Sequence, residues 1–341
     1  MGEDSCRGSI RQVLPFLFVS NISGLTLSGC TCKKDASSEK DLKMIKGICY
    51  LLSILLITPA VAAANRIPVF VSIVPQKYFV QQIGGDRVDV QVMVSPGANP
   101  ATYEPKPRQM ADLSNARAYF SIGVPFEKTW LKKMVAANPR MEVVHTDAGI
   151  TRIPMQPHHH LDDTHTLAGH RESESMPADR SLDPHIWLSP PLVKKQVRTI
   201  LSALQKIDPV HSNIYAANCT GFIARIDALH VQLKQIFKGS QGLRFMVFHP
   251  AWGYFARTYG LKQIPIEIEG KAPKPAQLKA LIENARKLKI KVIFVQPQFS
   301  TKSAKLVASA IGAQVAFADP MAIDWMANLR EIANKFAAAL K

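Results

Sequence analysis

The sequence predicts an α/β protein of two lobes, each with a mainly parallel sheet flanked by helices, joined by one long helix. From Arg66 onward, β-type apolar runs alternate with helix-type segments, which is typical of parallel sheets covered by helices on both faces. One long helical segment interrupts this alternation, which then resumes. A length of 341 residues suffices for two lobes, and 47% hydrophobic with 20% charged residues is typical of folded domains.

Residues 1–64 are predicted to be an N-terminal extension and signal peptide. After Met44 come the basic Lys46, an apolar run over 48–57 and an alanine-rich end at Ala64. A basic start, a short apolar core and an A-x-A ending are typical of a secretory signal peptide, which we place at 44–64. The apolar run is shorter than the roughly 20 residues needed to span a bilayer. We therefore expect a periplasmic or otherwise extracytoplasmic protein that begins near Asn65.

A second export signal competes with the first. Leu27-Ser28-Gly29-Cys30 resembles the motif at which bacterial lipoproteins are cleaved and acylated, which would anchor the protein to a membrane through Cys30. Either signal implies export. Of the five cysteines, only Cys219 lies beyond residue 64, so the expected mature chain forms no internal disulfide and has no cysteine-based metal site.

The first lobe is predicted over residues 65–190. Its β-type runs are rich in Val, Ile and Phe, and helix-type segments lie between them. The predicted strands are Val69–Pro75, Val88–Val94, Ala118–Gly123 and Met141–His145, and the predicted helices are Tyr78–Ile83, Arg108–Asn115 and Glu127–Ala137.

A long surface loop is predicted over 153–182 because this segment is polar, has three prolines and lacks periodicity. Five of the ten histidines of the chain fall inside it, among several carboxylates. Imidazole and carboxylate together suit zinc, copper or nickel, and clustered histidine is typical of metal handling. The predicted auxiliary ligands are His158, His159, His160, His165 and His170.

Helices are predicted over 191–240, and the second of them is long enough to join the lobes. It follows Asp208-Pro209 and carries apolar residues at spacings of four and three, a stripe that would be buried. These residues are Phe222, Ile226, Leu229, Leu233 and Ile236. About 28 residues of helix reach about 40 Å, the height of a domain.

The second lobe is predicted over 241–341, where the alternation resumes without a sequence repeat of the first lobe. The predicted strands are Phe245–Phe248, Gln263–Ile268, Lys291–Val295 and Gln314–Ala318. The predicted helices are Pro250–Tyr259, Pro275–Lys289, Lys302–Ile311 and Asp324–Leu340.

Three further side chains occupy positions suited to a ligand site. His249 and Asp319 each follow a predicted strand and precede a proline, and His185 lies at the close of the first lobe. Ligands of open α/β sheets bind beyond the carboxyl ends of strands, so two facing lobes would bring these residues into one cleft. A hydrogen-bonded structural histidine and a turn-forming aspartate remain the alternatives.

Several segments in register resemble the zinc- and manganese-binding solute-binding proteins of bacterial ABC importers, the group with one rigid helical backbone. They are DPHIWLSP around His185, VFHPAWGYFARTYGL around His249, the segment 269–273 (EGKAP) and Asp319-Pro320. The resemblance covers about residues 66–341 and includes a histidine-rich loop. It implies a metal cleft between two lobes, with His185, His249 and Asp319 as ligands.

One position departs from this family. The family supplies a first histidine in the segment 96–105, where this chain has Ala101, and no histidine precedes His145. Tightly held zinc prefers four ligands, so the three inherited ligands leave one place. Water, Glu104, Glu269 or a loop histidine could fill it, and the sequence does not choose among them.

The resemblance implies a monomeric, non-catalytic receptor that delivers zinc, or manganese, to a membrane permease and its ATPase. Two alternatives stay open: a receptor for a chelated cofactor or siderophore, which would need an aromatic cleft, and a secreted zinc hydrolase, which would need a general base beside the metal. The net charge of +16 comes without any nucleic-acid-binding motif, so we interpret it as a solvated surface and expect no nucleic-acid partner.

Overall fold

Two four-stranded parallel sheets form the centres of the two lobes, as predicted. A computed structural model describes residues 66–155, 182–268 and 271–340. The predicted signal peptide, Cys30 and most of the predicted loop lie outside the described residues.

The first sheet has the strand order β2-β1-β3-β4 and helices between successive strands. Its strands are β1 (Ile67–Val71), β2 (Val88–Val92), β3 (Ala118–Ser121) and β4 (Glu142–His145). The helices are α1 (Val74–Gly84), α2 (Pro107–Leu113) and α3 (Pro125–Ala137). The two inner strands, β1 and β3, are almost wholly buried, as expected for strands covered on both faces.

The second sheet has the order β6-β5-β7-β8, which is the same topology as the first. Its strands are β5 (Arg244–Val247), β6 (Lys262–Pro265), β7 (Val292–Val295) and β8 (Gln314–Phe317). The helices of this lobe are α6 (Gly253–Tyr259), α7 (Pro275–Lys287), α8 (Lys302–Ile311) and α9 (Trp325–Ala339). The lobes therefore repeat in topology although they show no repeat in sequence.

Helix starts are where the structure departs most from the sequence prediction. The predicted strand Val69–Pro75 was wrong at its end, because β1 stops at Val71 and helix α1 begins at Val74. Helices α2 and α3 begin at prolines, one or two residues before the predicted starts. Proline suits a first helical turn because its missing N–H needs no partner there. Pro75 therefore lies in the first turn of α1, and the apolar run that was predicted as strand continues into this helix.

The long helix is α5 (Ser212–Ile236), preceded by α4 (Pro190–Ile207). Its 25 residues reach about 37 Å. The buried stripe begins earlier than predicted, at Tyr215 and Cys219, while Ile236 is half-buried. Helix α5 contacts α1 and α4 of the first half and α9 of the second, so it joins the two lobes.

Two tryptophans link the lobes through the buried core. The Trp187 Nε1–H donates to the carbonyl of Pro320 at 2.8 Å, and the Trp325 Nε1–H donates to the carbonyl of Trp187 at 2.6 Å. Trp325 packs edge-on against Phe79 of α1, with ring centroids 5.2 Å apart. One continuous apolar cluster therefore includes residues of both sheets, and relative movement of the lobes would expose it.

No helix among the described ranges combines the length and apolar character that crossing a membrane requires.

The inter-lobe role of α5 predicts that Leu229→Ala lowers the free energy of unfolding by about 3 kcal/mol, because it leaves a cavity in a packed core. Val231→Ala is the matched control, since Val231 is 66% exposed on the same helix, and should change stability by less than about 0.5 kcal/mol. Urea denaturation measures both. Equal effects of the two substitutions would contradict the placement of the buried stripe.

Candidate metal centre

The carboxyl ends of the second sheet place four polar side chains along one edge. His249 follows β5, Glu267 follows β6, Gln296 follows β7 and Asp319 follows β8. Parallel strands present their carboxyl ends at a common edge, where ligands bind in open α/β sheets. The fold therefore gathers donor groups that are up to 70 residues apart in the chain.

His185 reaches this edge from the segment that leaves the first lobe. The main-chain N–H of Asp183 donates to Ile153 at 2.9 Å, and Pro154 pairs with Leu182, so both ends of the predicted loop are joined. The Asp183 Oδ1 then accepts from the His185 main-chain N–H at 2.9 Å and from its ring Nδ1–H at 2.7 Å. This double contact fixes the imidazole at the start of a short 3₁₀ turn (Ile186–Leu188).

The rings of His185 and His249, which we name the histidine pair, lie close together. Their centroids are 5.2 Å apart and the ring planes cross at 68°. Each Nδ1 is engaged by a carboxylate, and the Nε2 of each ring makes no hydrogen bond to another described residue. Both rings thus have a free nitrogen lone pair, which is the donor that a transition metal takes from neutral imidazole.

His249 is held on three sides. Its Nδ1–H donates to the Glu267 Oε1 at 2.7 Å, and its ring stacks on Phe299 with centroids 4.6 Å apart. The side-chain amide of Gln296 accepts from the main-chain N–H of His249 at 3.2 Å and donates to its carbonyl at 2.7 Å. The ring orientation is therefore fixed before any ligand arrives.

Burial lowers the pKa of His185, and this effect outweighs the neighbouring Asp183 carboxylate, which raises it. The nearby His249 lowers the pKa further. A lowered pKa keeps the imidazole neutral at physiological pH, and the neutral form is the one that coordinates a metal.

Asp319 does not join the histidine pair in one cluster of ligands among the described residues. Its Oδ1 accepts from the Gln298 Nε2–H and from the main-chain N–H of Met321, both at 2.9 Å. The described residues contain no group of three or more His, Cys, Asp or Glu side chains close enough to hold one metal ion. The bond from Trp187 to Pro320 nevertheless ties the segment of Asp319 to that of His185.

The remaining predicted ligands are not tested by the structure. Ala101 and Glu104 are both exposed, on a segment anchored by Tyr103, whose ring packs edge-on against Phe126. Glu269 lies outside the described residues, as do the predicted loop ligands His158, His159, His160, His165 and His170.

Sequence reasoning missed the two carboxylates that orient the histidine pair. Asp183 precedes His185 by two residues, and Glu267 follows the end of β6 by two residues. The strand-end rule that selected His249 and Asp319 applies equally to Glu267. Residues that orient metal-binding imidazoles are as characteristic of such centres as the ligands themselves.

Two α/β lobes with parallel sheets, a connecting helix and a histidine pair between them define an α/β metal-binding protein of the two-lobed type. The chain belongs to the ZnuA family, described as the zinc-uptake complex component A, periplasmic, whose family model matches residues 69–339.

Relatives agree with this assignment. The high-affinity zinc uptake system protein ZnuA of Bacillus subtilis (strain 168) is 29% identical over 252 residues, which cover 73% of this chain and 77% of the relative. A crystal structure of ZnuA is similar with a TM-score of 0.74 and 43% identity, covering 81% of this chain and 100% of the other. A ZnuA deletion mutant with zinc bound gives a TM-score of 0.72 at 43% identity, covering 81% and 99%.

The contact between Glu267 and His249 predicts that Glu267→Gln weakens zinc binding about tenfold, because a neutral amide makes the imidazole a poorer donor than a carboxylate does. Glu283→Gln, on the exposed surface of α7, is the matched control and should leave the affinity unchanged. Competition titration with a zinc-binding dye measures both. An unchanged affinity in Glu267→Gln would mean that Glu267 has no part in metal binding.

Proposed function

We propose that this protein is an exported receptor that captures zinc between its lobes and delivers it to an ABC importer. The observation that carries the proposal is the histidine pair, two imidazoles from different parts of the fold with centroids 5.2 Å apart. Each ring is oriented by a buried carboxylate and keeps Nε2 available. Zinc is bound by such imidazole nitrogens at about 2.0–2.1 Å.

The proposed ligands of the tight site are His185, His249 and Asp319. Asp319 would contribute through Oδ2, since its Oδ1 is engaged by Gln298 and Met321. A change in the Asp319 side chain that brings Oδ2 toward the histidine pair would complete three protein ligands. The fourth place stays open to water, Glu104, Glu269 or a loop histidine, and the loop histidines would form weaker auxiliary sites.

The structure favours a free ion over a chelated cofactor or siderophore as the cargo. A receptor for a chelate needs aromatic faces that line the cleft, and Trp187 and Trp252 are fully buried. Tyr254 is also buried, and its hydroxyl donates to the carbonyl of Asp183. Trp187 packs against the ring of His185, with centroids 5.1 Å apart, and all three buried aromatic residues offer little surface to a large ligand.

A hydrolytic function receives no comparable support. The carboxylates nearest the histidine pair, Asp183 and Glu267, both accept hydrogen bonds from ring nitrogens. Such contacts are typical of carboxylates that orient metal-binding imidazoles, which is a role that a receptor needs as well. We therefore propose transport without catalysis.

Zinc is the favoured cargo, with manganese as the alternative. Two imidazoles and one carboxylate form a softer ligand set than the oxygen-rich sites preferred by manganese, and zinc lies above manganese in intrinsic affinity. The partners that we propose are the importer's permease and ATPase. The place of action that we propose is periplasmic or otherwise extracytoplasmic, after cleavage near Ala64 or acylation of Cys30.

Protein isolated without an affinity tag should contain about one equivalent of zinc by elemental analysis. His249→Ala and Asp319→Asn should weaken this site, His249→Ala by more than about a hundredfold, because loss of an orienting residue alone costs about 10–100-fold. His211→Ala, on the short turn between α4 and α5, is the control and should bind normally. Unchanged zinc affinity in both ligand variants would refute these ligand assignments. A coloured chelate in the purified protein would refute the proposal that the cargo is a free zinc ion.

Ala101→His should tighten zinc binding if segment 96–105 follows the course of the family. The new imidazole would replace a water on the metal and shift preference from manganese toward zinc, because imidazole is the softer donor. Ala101→Gln is a control of similar size with a weaker metal ligand. Unchanged or weaker zinc affinity in Ala101→His would mean that another residue already occupies the fourth place.

A further inference from the structure

A cavity of about 540 Å³ opens at the amino-terminal edge of the first sheet. Its apolar lining consists of Ile67, Pro68 and Ile207, while three arginines, one histidine, one asparagine and one aspartate supply the polar lining. We name Arg66, Arg87 and Arg117 the arginine edge. The cavity has the volume of a small-molecule site, and the proposed zinc function gives it no role.

The strand register places the arginine edge on three neighbouring strands. Arg66 and Arg87 immediately precede the register pair Ile67 and Val88 of β1 and β2. The main-chain N–H of Arg117 donates to Pro68 at 2.8 Å, which sets Arg117 beside the start of β1. Neighbouring strands are about 4.8 Å apart and rise about 3.3 Å per residue, so the backbones of the three arginines lie within about 12 Å of one another.

These charges are not paired in close contacts with the described residues, although Arg87 lies near enough to Asp208 to help lower the pKa of that carboxyl group. None of the three arginine side chains donates a hydrogen bond or forms an ion pair to another described residue. Asp208 is the one carboxylate among the described residues that line the cavity, and it already accepts from the Tyr215 hydroxyl at 2.6 Å and from the His211 Nδ1–H at 2.7 Å. Three like charges so close repel one another, and a bound anion would relieve that repulsion.

All three cations are arginine, and the type of residue matters. The planar guanidinium donates pairs of parallel hydrogen bonds that match the oxygens of phosphate, whereas lysine acts as a point charge. The geometry points to a second binding site: we propose that the arginine edge binds a phosphate-bearing anion. This inference does not depend on the zinc function.

The phosphate has two possible sources, a soluble phosphate compound and the headgroup of an anionic lipid. A soluble compound would fill the cavity alone. A lipid would also meet apolar surface beside it, and Val210, next to His211, is 87% exposed.

The test titrates inorganic pyrophosphate into the purified, metal-free protein in metal-free buffer. Isothermal titration calorimetry measures the affinity and the stoichiometry of binding. We expect saturable one-to-one binding that Arg87→Gln/Arg117→Gln weakens at least about tenfold, the loss expected for charge-assisted hydrogen bonds. Lys128→Gln/Lys132→Gln removes the same charge from the exposed face of α3 and should not change binding. His249→Ala should also bind pyrophosphate normally.

Folding is checked by zinc affinity and circular dichroism, and Arg117→Gln alone provides a milder variant because Arg117 is exposed. Co-sedimentation with phosphatidylglycerol vesicles, against phosphatidylcholine vesicles, distinguishes the sources. If the protein sediments with phosphatidylglycerol vesicles and pyrophosphate releases it, the ligand is a lipid headgroup. If the protein binds pyrophosphate but does not sediment with the vesicles, the ligand is a soluble compound. Absence of saturable pyrophosphate binding, or equal losses in the two double variants, overturns the proposal.

Discussion

The burial of Trp187 and Trp325 between the lobes is the interaction on which the candidate metal centre depends. Trp187 follows His185 by two residues, and its indole N–H bonds to Pro320, next to Asp319. Its own carbonyl accepts from Trp325 at the start of α9. Each such hydrogen bond contributes only about 1 kcal/mol, but burial of two indoles contributes several kcal/mol more. The position of one proposed ligand relative to another is thus set by the core and not by the cleft surface.

This arrangement constrains how the protein can take up and release a metal. Opening the lobes widely would expose the apolar cluster that includes residues of both sheets. The free-energy cost of this exposure is roughly proportional to the apolar area that returns to water, so wide opening is unfavourable. Movement that leaves this core intact is limited to side chains at the strand ends, such as the Asp319 carboxylate, whose Oδ2 makes no hydrogen bond to another described residue. The histidine pair is already oriented by Asp183 and Glu267, so capture by these proposed ligands would require little reordering of the two rings.

The sequence was informative where periodicity and strand ends carry the information. Alternating patterns predicted both sheets, and the strand-end rule selected His249 and Asp319. The common topology of the two sheets could not be predicted, because strand order depends on packing between segments far apart in the chain. Asp183 and Glu267 were missed because an orienting carboxylate and a surface carboxylate look alike in one sequence. Only the 2.7 Å contacts with the ring nitrogens distinguish them.

Basic residues gather at the amino-terminal edges of both parallel sheets, so the arginine edge has to be compared with what the helix dipoles alone would favour. Helices between parallel strands end near the amino edge, where their partial negative charge attracts cations. The second lobe shows this pattern too, since Arg244, Lys289 and Lys291 line a cavity of about 350 Å³ at its amino edge. Dipole complementarity alone explains lysine as well as arginine there. The concentration of three arginines around one cavity is the feature that exceeds what the helix dipoles require.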